Sequence, residues 1–317
     1  VGALSKVAGA TVLAGAGVLA WSLVEARSYV VRQVAAPVLP AGSKPLRILH
    51  LSDLHLTPSQ RGKVAWVRSL ARFRPDLVVD TGDNLAHEDA VPTALEALEP
   101  LLAFPGVFVH GSNDYFGPRA KNPLTYLREP TRLHGEAVAL DHEALTAGLT
   151  ARGWLDLNNA RGALDLAGHA VSFTGLDDPH LGRDELSPVA EGAGAPGTQG
   201  DVRIGVVHAP YLRSLEALRA DGAQVILAGH THGGQVCVPG YGALVTNCDL
   251  DTSRAKGLHG WPGARPDQDG GDDSVWLHVS AGVGTSPYTP IRLACRPEAT
   301  LLTLLPVDAP SPAPAGG

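Results

Sequence analysis

Arg47-Ile48-Leu49-His50-Leu51-Ser52-Asp53-Leu54-His55 and Gln224-Val225-Ile226-Leu227-Ala228-Gly229-His230-Thr231-His232-Gly233-Gly234 are built alike, although most of the chain separates them. Each is an apolar run of strand length that ends in two metal-ligand side chains spaced i, i+2. A continuous apolar run fits a strand buried on both faces, as in sheets covered by helices. In an extended chain alternate side chains point the same way, so Asp53 and His55 are expected to converge on one ion, and His230 and His232 repeat that arrangement. The paired glycines after His232 allow close backbone approach. Both pairs stand at a strand's carboxyl end, where open α/β sheets place their sites.

Three more stations of the same form lie between them. Leu77-Val78-Val79-Asp80-Thr81-Gly82-Asp83-Asn84 ends an apolar run in a glycine turn and a carboxylate. Val107-Phe108-Val109-His110-Gly111-Ser112-Asn113-Asp114-Tyr115 repeats that form, and Val202-Arg203-Ile204-Gly205-Val206-Val207-His208 closes another strand in a histidine. An Asp-x-His or a Gly-Asp alone is a weak signal; the five stations in this order, each at a strand end, make a specific one. Oxygen and imidazole ligands without a thiolate suit divalent Mn, Fe or Zn.

On these motifs the chain resembles the calcineurin-like metallophosphoesterases, over Leu46 to Leu305. Gly229-His230-Thr231-His232-Gly233-Gly234-Gln235 and the late Gly282-Val283-Gly284-Thr285-Ser286-Pro287-Tyr288, followed by Pro290-Ile291-Arg292, look like a bacterial membrane-linked branch that includes UDP-diacylglucosamine hydrolases. The resemblance implies an α/β fold, a four-layer α/β/β/α sandwich of two mixed sheets. It also implies two divalent ions, with Asp53, His55 and His232 on the first, His208 and His230 on the second, and Asp83 bridging both. In such sites the ions lie about 3.5–4 Å apart and a bridging hydroxide attacks phosphorus in line.

One station departs from the family pattern, which reads Gly-Asn-His-Asp. Here it reads Gly111-Ser112-Asn113-Asp114. Without a gap, Ser112 replaces the metal-binding Asn and Asn113 the acid His; slipped by one residue, Asn113 keeps the metal and Asp114 takes the His position. Asn113 is favoured as the ligand, because an amide oxygen is a better neutral donor than a hydroxyl. Asp83, Asn113 and Asp114 are then the catalytic candidates. Either alignment lacks the usual histidine, so general-acid help of typically 10²–10⁴-fold is weakened or supplied by another group, with His110, His180 and His259 as candidates. Asp177-Asp178-Pro179, Tyr288 and Arg292 are candidate pocket residues, Arg292 as a phosphate fork.

Val7 to Val24 is free of charge, with Lys6 before it and Glu25, Arg27 and Arg32 after it. Its length is at the lower limit of a membrane span, so residues 1–33 are expected to be a single N-terminal anchor of open orientation, or else an export signal. Residues 34–45, with three prolines, read as an extended tether, residues 46–305 as the phosphoesterase domain, and 306–317 as a disordered tail. Helical spacing recurs over Lys63 to Phe73, Thr93 to Ala103 and Tyr211 to Ala220, and Asp184 to Gly200 and Gly260 to Asp273 read as surface loops.

A net charge of −7 and a pI near 6.0 argue against a nucleic-acid binder. Cys237, Cys248 and Cys295 show no metal spacing and no disulfide framework. The expected activity is therefore two-metal hydrolysis of phosphoester or diphosphate bonds, on a phosphorylated small-molecule or lipid substrate at the membrane. The alternatives are an exported soluble nucleotide phosphodiesterase or a metal-binding scaffold with weakened catalysis.

Overall fold

The computed structural model describes residues 2–119, 137–187 and 202–309, with residues 2–10 as backbone only. In chain order, α1 (Gly2–Glu25) leads into β1 (Val30–Leu39) and β2 (Leu46–Leu51). Then α2 (Arg61–Ser69) precedes β3 (Leu77–Asp80), α3 (Val91–Leu98) precedes β4 (Gly106–Phe108), and α4 (Ser112–Tyr115) and α5 (His142–Thr150) precede β5 (Leu155–Asp156). The second half contributes β6 (Arg161–Leu166), β7 (His169–Gly175), β8 (Val202–Val206), α6 (Leu212–Ala220), β9 (Val225–Ala228), β10 (Gly257–Trp261), β11 (Val275–Val279) and β12 (Glu298–Pro306).

These strands form two six-stranded sheets, ordered β1-β12-β2-β3-β4-β5 and β10-β11-β9-β8-β7-β6. Both are mixed. In the first, β12 runs antiparallel to β2 while β2, β3 and β4 are parallel; in the second, β7, β8, β9 and β11 are parallel and β6 and β10 are antiparallel edges. The period-2 alternation of side chains separates the layers. Ile48, Val79 and Val107 of the first sheet share a core with Phe173, Ile204 and Val225 of the second, between the sheets. Their neighbours Leu49, Val78 and Phe108 turn outward onto Val67, Leu98 and Leu145 of α2, α3 and α5. Ile226 and Leu277 likewise meet Leu215 and Leu218 of α6. Burial on both faces is why these strands read as unbroken apolar runs.

Two expectations are corrected. Residues 34–45 are not a free tether: Val30–Leu39 pairs in parallel with β12, from Val30↔Glu298 to Leu39↔Pro306, with a register shift between Pro37 and Leu39. The prolines misled because β1 is an edge strand, where a missing N–H costs no ladder bond on the open side. The N-terminal segment is helical, but among the described residues no helix is long and apolar enough to cross a membrane, so the expected span is not supported. The last turn of α1 is anchored to the domain instead. Glu25 accepts the backbone N–H groups of Ala294 and Cys295 at 3.1 and 2.7 Å, and the Ser22 carbonyl accepts that of Arg292 at 3.0 Å. Of the surface segments, Gly260–Asp273 follows from the end of β10 through turns, whereas 188–200 and 310–317 lie outside the described residues.

Candidate metal centre

The five apolar runs do end where the sequence places their polar residues, but not in extended geometry. Strand β2 stops at Leu51 and β9 at Ala228, before the first ligand of each pair. Asp53 (φ 53°), His55 (φ 42°), Asp83 (φ 57°), His230 (φ 67°) and His232 (φ 50°) all occupy the left-handed region. Asp53 and His55 come together through this tight coiling rather than by strand alternation, which corrects the argument from extended chain. The conformation costs roughly 1–2 kcal/mol per residue for an L-amino acid. Strain of that size persists where the surroundings over-determine it, and it clusters at functional sites.

The surroundings here are specific. The loops after β2 and β3 run side by side, with Asp53 N–H donating to the Gly82 carbonyl at 2.8 Å and His55 N–H to the Asp83 carbonyl at 2.9 Å. Buried Lys63 donates from Nζ to the carbonyls of Leu54 (2.7 Å) and His55 (3.2 Å). Fully buried Arg292 donates to the carbonyls of Ala281 (2.7 Å), Gly282 (3.1 Å), Gly284 (2.7 Å) and His232 (3.3 Å). Arg292 is thus a loop clasp and not a phosphate fork. Lys63 was missed by sequence reasoning; its one signal is a lysine on the apolar side of α2, beside Val64 and Val67. Burial and the Arg292 charge lower its pKa to about 7.

Glycines make room for the ligands. A Cβ on Gly229 would fall 1.8 Å from Ser52 Oγ and 2.7 Å from Asp53 Oδ2, and one on Gly111 2.3 Å from Asp83 Oδ1 and 2.7 Å from the His208 ring. Gly111→Ala is expected to displace Asp83 and lower phosphodiester turnover by about 10²-fold, the usual effect of a shift near 1 Å in reacting geometry. Steady-state rates on the variant, with its melting temperature as a control for folding, check this; an unaltered rate would show that the site has slack at this position.

Among the described residues two groups of side chains could hold a metal ion: Asp53, His55 and His232, and Asp53, Asp83 and His208. Nε2 of His55 and Nε2 of His232 lie 3.1 Å apart, and Asp53 Oδ1 is 3.4 Å from the latter and 4.0 Å from the former. Asp83 faces both ways, with Oδ2 3.6 Å from His55 Nε2 and Oδ1 3.4 Å from His208 Nε2. His208 Nδ1 lies 2.6 Å from the Thr81 carbonyl, and His230 Nε2 3.2 Å from the Asn247 carbonyl and 3.3 Å from its Nδ2. A carbonyl fixes the tautomer of a ligating imidazole and leaves its other nitrogen to the site. His230 is beside these groups, its ring centroid 5.2 Å from that of His208.

The donor set fits a cation. Asp53 Oδ1 is buried without a hydrogen-bond partner, and two imidazole nitrogens 3.1 Å apart cannot both carry protons. Burial raises the Asp53 pKa to about 6. Burial opposes ionisation of Asp83 as well, but His208 and His55 hold it well below the usual carboxylate range. Burial lowers His55 to about 4 and drives His230 and His232 well below the ordinary histidine range. Against the same desolvation, Asp83 lifts His208 well above it. Neutral His55, His230 and His232 beside an ionised Asp83 are in the state a metal requires, whereas His208 would have to give up its proton to ligate one.

The Gly111-Ser112-Asn113-Asp114 station opens α4. Asn113 donates its backbone N–H to Asp83 Oδ1 and its side-chain Nδ2 to Oδ2, each at 2.7 Å. Asp114 does not face the site: its oxygens accept the backbone N–H groups of Asp83 (2.8 Å), Asn84 (2.8 Å), Gly111 (3.0 Å) and Leu85 (3.3 Å). That corrects its expected catalytic role, since a carboxylate saturated by four backbone donors organises the loop around Asp83. Asp177 is similarly engaged, by Tyr115 Oη at 2.8 Å and Arg183 Nε at 2.9 Å, and Asp178 accepts the N–H of His180 at 3.0 Å. Tyr288 is exposed.

The family model of the calcineurin-like phosphoesterases matches residues 46–234. The chain belongs to this family. As a phosphoesterase it is a hydrolase, and several of its relatives carry metallophosphoesterase or phosphodiesterase in their names. It is 27% identical to the Bacillus subtilis metallophosphoesterase YkuE, over 86% of this chain and 83% of that one, and 27% identical to the Escherichia coli phosphodiesterase YaeI, over 82% and 83%. It is 31% identical to a Bos taurus transmembrane protein with a metallophosphoesterase domain, over 86% of this phosphoesterase and 56% of the bovine chain. These names support the family; the narrower likeness to UDP-diacylglucosamine hydrolases does not follow from them.

Proposed function

We propose that this phosphoesterase hydrolyses phosphodiester or diphosphate bonds with two divalent ions, one held by Asp53, His55 and His232 and the other by His208, His230 and Asn113, with Asp83 between them. The observation that carries the reading is the double-facing Asp83 carboxylate, one oxygen toward His55 and the other toward His208. Asn113 lies against both of those oxygens, its backbone N–H on the one toward His208 and its side-chain amide on the one toward His55. When bound, two Mn, Fe or Zn ions would activate water and clamp phosphoryl oxygens in an in-line displacement.

The chain's own residues supply the rest. Carbonyls of Thr81 and Asn247 orient His208 and His230, Ser52 Oγ donates to Asp53 Oδ2 at 2.6 Å, and Asp114 fixes the loop that presents Asp83. A diester is favoured over a monoester dianion because Lys63 and Arg292, the cations that hold the site's loops, are buried and committed to loop carbonyls. A lipid- or nucleotide-linked diphosphate at a membrane surface is the finer reading. Its support is the apolar face that α1 leaves in solvent, with Val12 71% and Leu13 74% exposed.

The test is hydrolysis of bis-p-nitrophenyl phosphate and p-nitrophenyl phosphate after chelation and after restoring Mn, Fe or Zn. Turnover that returns with metal and favours the diester is the expected result. Two bound ions with no turnover of either ester would instead identify a metal-binding scaffold.

A further inference from the structure

Of the histidines that the two-metal reading leaves unused, three have partners of their own. His110 Nε2 lies 2.7 Å from Thr146 Oγ1, His180 Nδ1 3.0 Å from Tyr211 Oη, and His259 Nε2 2.7 Å from the Lys256 carbonyl. His50 and His278 face each other across the two sheets. In β2, Leu46 and Ile48 belong to the core between the sheets, and His50 continues their alternation. His278 stands likewise two residues after Trp276 of β11, and Thr81 two residues after Val79 of β3. All three are buried at the carboxyl end of that core, where the ligand loops begin.

They form one chain of hydrogen bonds. Nδ1 of His278 is 2.8 Å from Nδ1 of His50, and His50 Nε2 is 3.0 Å from Thr81 Oγ1. The Thr81 hydroxyl donates its own proton to the Leu51 carbonyl at 3.3 Å, so it accepts one from His50 Nε2, and His50 Nδ1 in turn accepts from His278. Burial keeps both imidazoles neutral, holding His50 well below the ordinary histidine range and His278 at about 3. Desolvating two imidazoles costs free energy that aliphatic side chains in the same layer would not, and these bonds offset it.

The chain ends on a candidate metal ligand. The Thr81 carbonyl lies 2.6 Å from His208 Nδ1, and the peptide that carries it is held from its other side, where Gly82 N–H donates to Asp80 Oδ1 at 3.0 Å. His208 thereby keeps a proton on Nδ1 and turns Nε2, 3.4 Å from Asp83 Oδ1, to the site.

We propose that His50 and His278 are positioning residues for the second ion: their chain, running from β11 through β2, fixes Thr81, and Thr81 fixes the tautomer and direction of His208. This rests on the two-metal reading of the site. The loss of the chain falls on the His208 ion, because the backbone at His55 and His232 is held by other groups, Lys63 and Arg292.

The experiment titrates Mn²⁺ into the full chain after chelation, by calorimetry, in the wild type, His50→Leu, His50→Gln and Thr81→Val, with His208→Ala marking which binding step belongs to the second ion. His50→Leu and Thr81→Val are expected to weaken that step by about 10–100-fold, the usual effect of losing a group that orients a metal-bound imidazole, and to leave the other step as in the wild type. His50→Gln, whose amide offers a donor and an acceptor, recovers part of the loss. Thr81→Val changes the side-chain volume little and carries the test alone if His50→Leu does not fold. Steps that weaken together, or that stay at wild-type strength while the melting temperature falls, would make the two histidines a support of the core and overturn the assignment. A wild type that binds no second ion removes the two-metal reading and this assignment with it, whereas two wild-type steps without selective weakening remove the assignment alone.

Discussion

Asp83→Asn is expected to lower metal-dependent diester hydrolysis by about 10³-fold, equivalent to about 4 kcal/mol of lost transition-state stabilisation. Among the described residues Asp83 is the carboxylate whose two oxygens face His55 and His208 separately, at 3.6 and 3.4 Å. An amide of the same shape keeps one oxygen, which can still accept the backbone N–H of Asn113, so the loop is expected to hold. What disappears is the negative charge that, in the proposed two-metal site, would allow two cations to sit close together. The variant is therefore expected to retain the wild-type melting temperature without metal and to bind fewer ions. Atomic emission after gel filtration, set beside turnover on bis-p-nitrophenyl phosphate, checks both halves. Full metal content with an undiminished rate would show that Asp83 is not a bridge.

The parts of this site legible in the sequence are those fixed by local pattern. Apolar runs that are buried on both faces announced β2, β3, β4, β8 and β9, and polar residues at their carboxyl ends announced Asp53, His55, Asp83, His208, His230 and His232 as neighbours. How those residues meet was not legible, because the left-handed conformation at five of them is imposed by contacts from distant segments. Asp114 shows the same limit. Next to Asn113 in sequence it reads as a second catalytic candidate, but the direction of α4 turns one side chain onto Asp83 and the other under its loop. Edge strand β1 was hidden because its proline-containing sequence matches a linker, and only pairing with β12, over 260 residues away, distinguishes the two. Cations were misread for a related reason: pattern shows that Arg292 follows a glycine-rich turn, but not whether its guanidinium faces a substrate or carbonyls.

Arg292→Leu is expected to cost at least about 3 kcal/mol of stability, because it strands buried carbonyls, each worth roughly 1–3 kcal/mol when left unsatisfied. The guanidinium ties the 281–284 turn, Cys295 and the His232 carbonyl into one unit, and the same segment receives Glu25 from the end of α1. A single aliphatic side chain fills part of the volume but supplies no donor. For a domain of this size the loss corresponds to a fall of about 6–12 °C in melting temperature. Arg292→Lys should fall in between, since one ammonium cannot reproduce a planar fork that spans several acceptors. Activity should fall with stability, because the peptide that carries His232 is held in its left-handed conformation by this side chain. Thermal melts and turnover measured together decide the point. If Arg292→Leu melts like the wild type but loses activity, the guanidinium acts on the substrate after all. If both fall together and Arg292→Lys recovers part of each, Arg292 is the clasp that keeps the strained His232 in place.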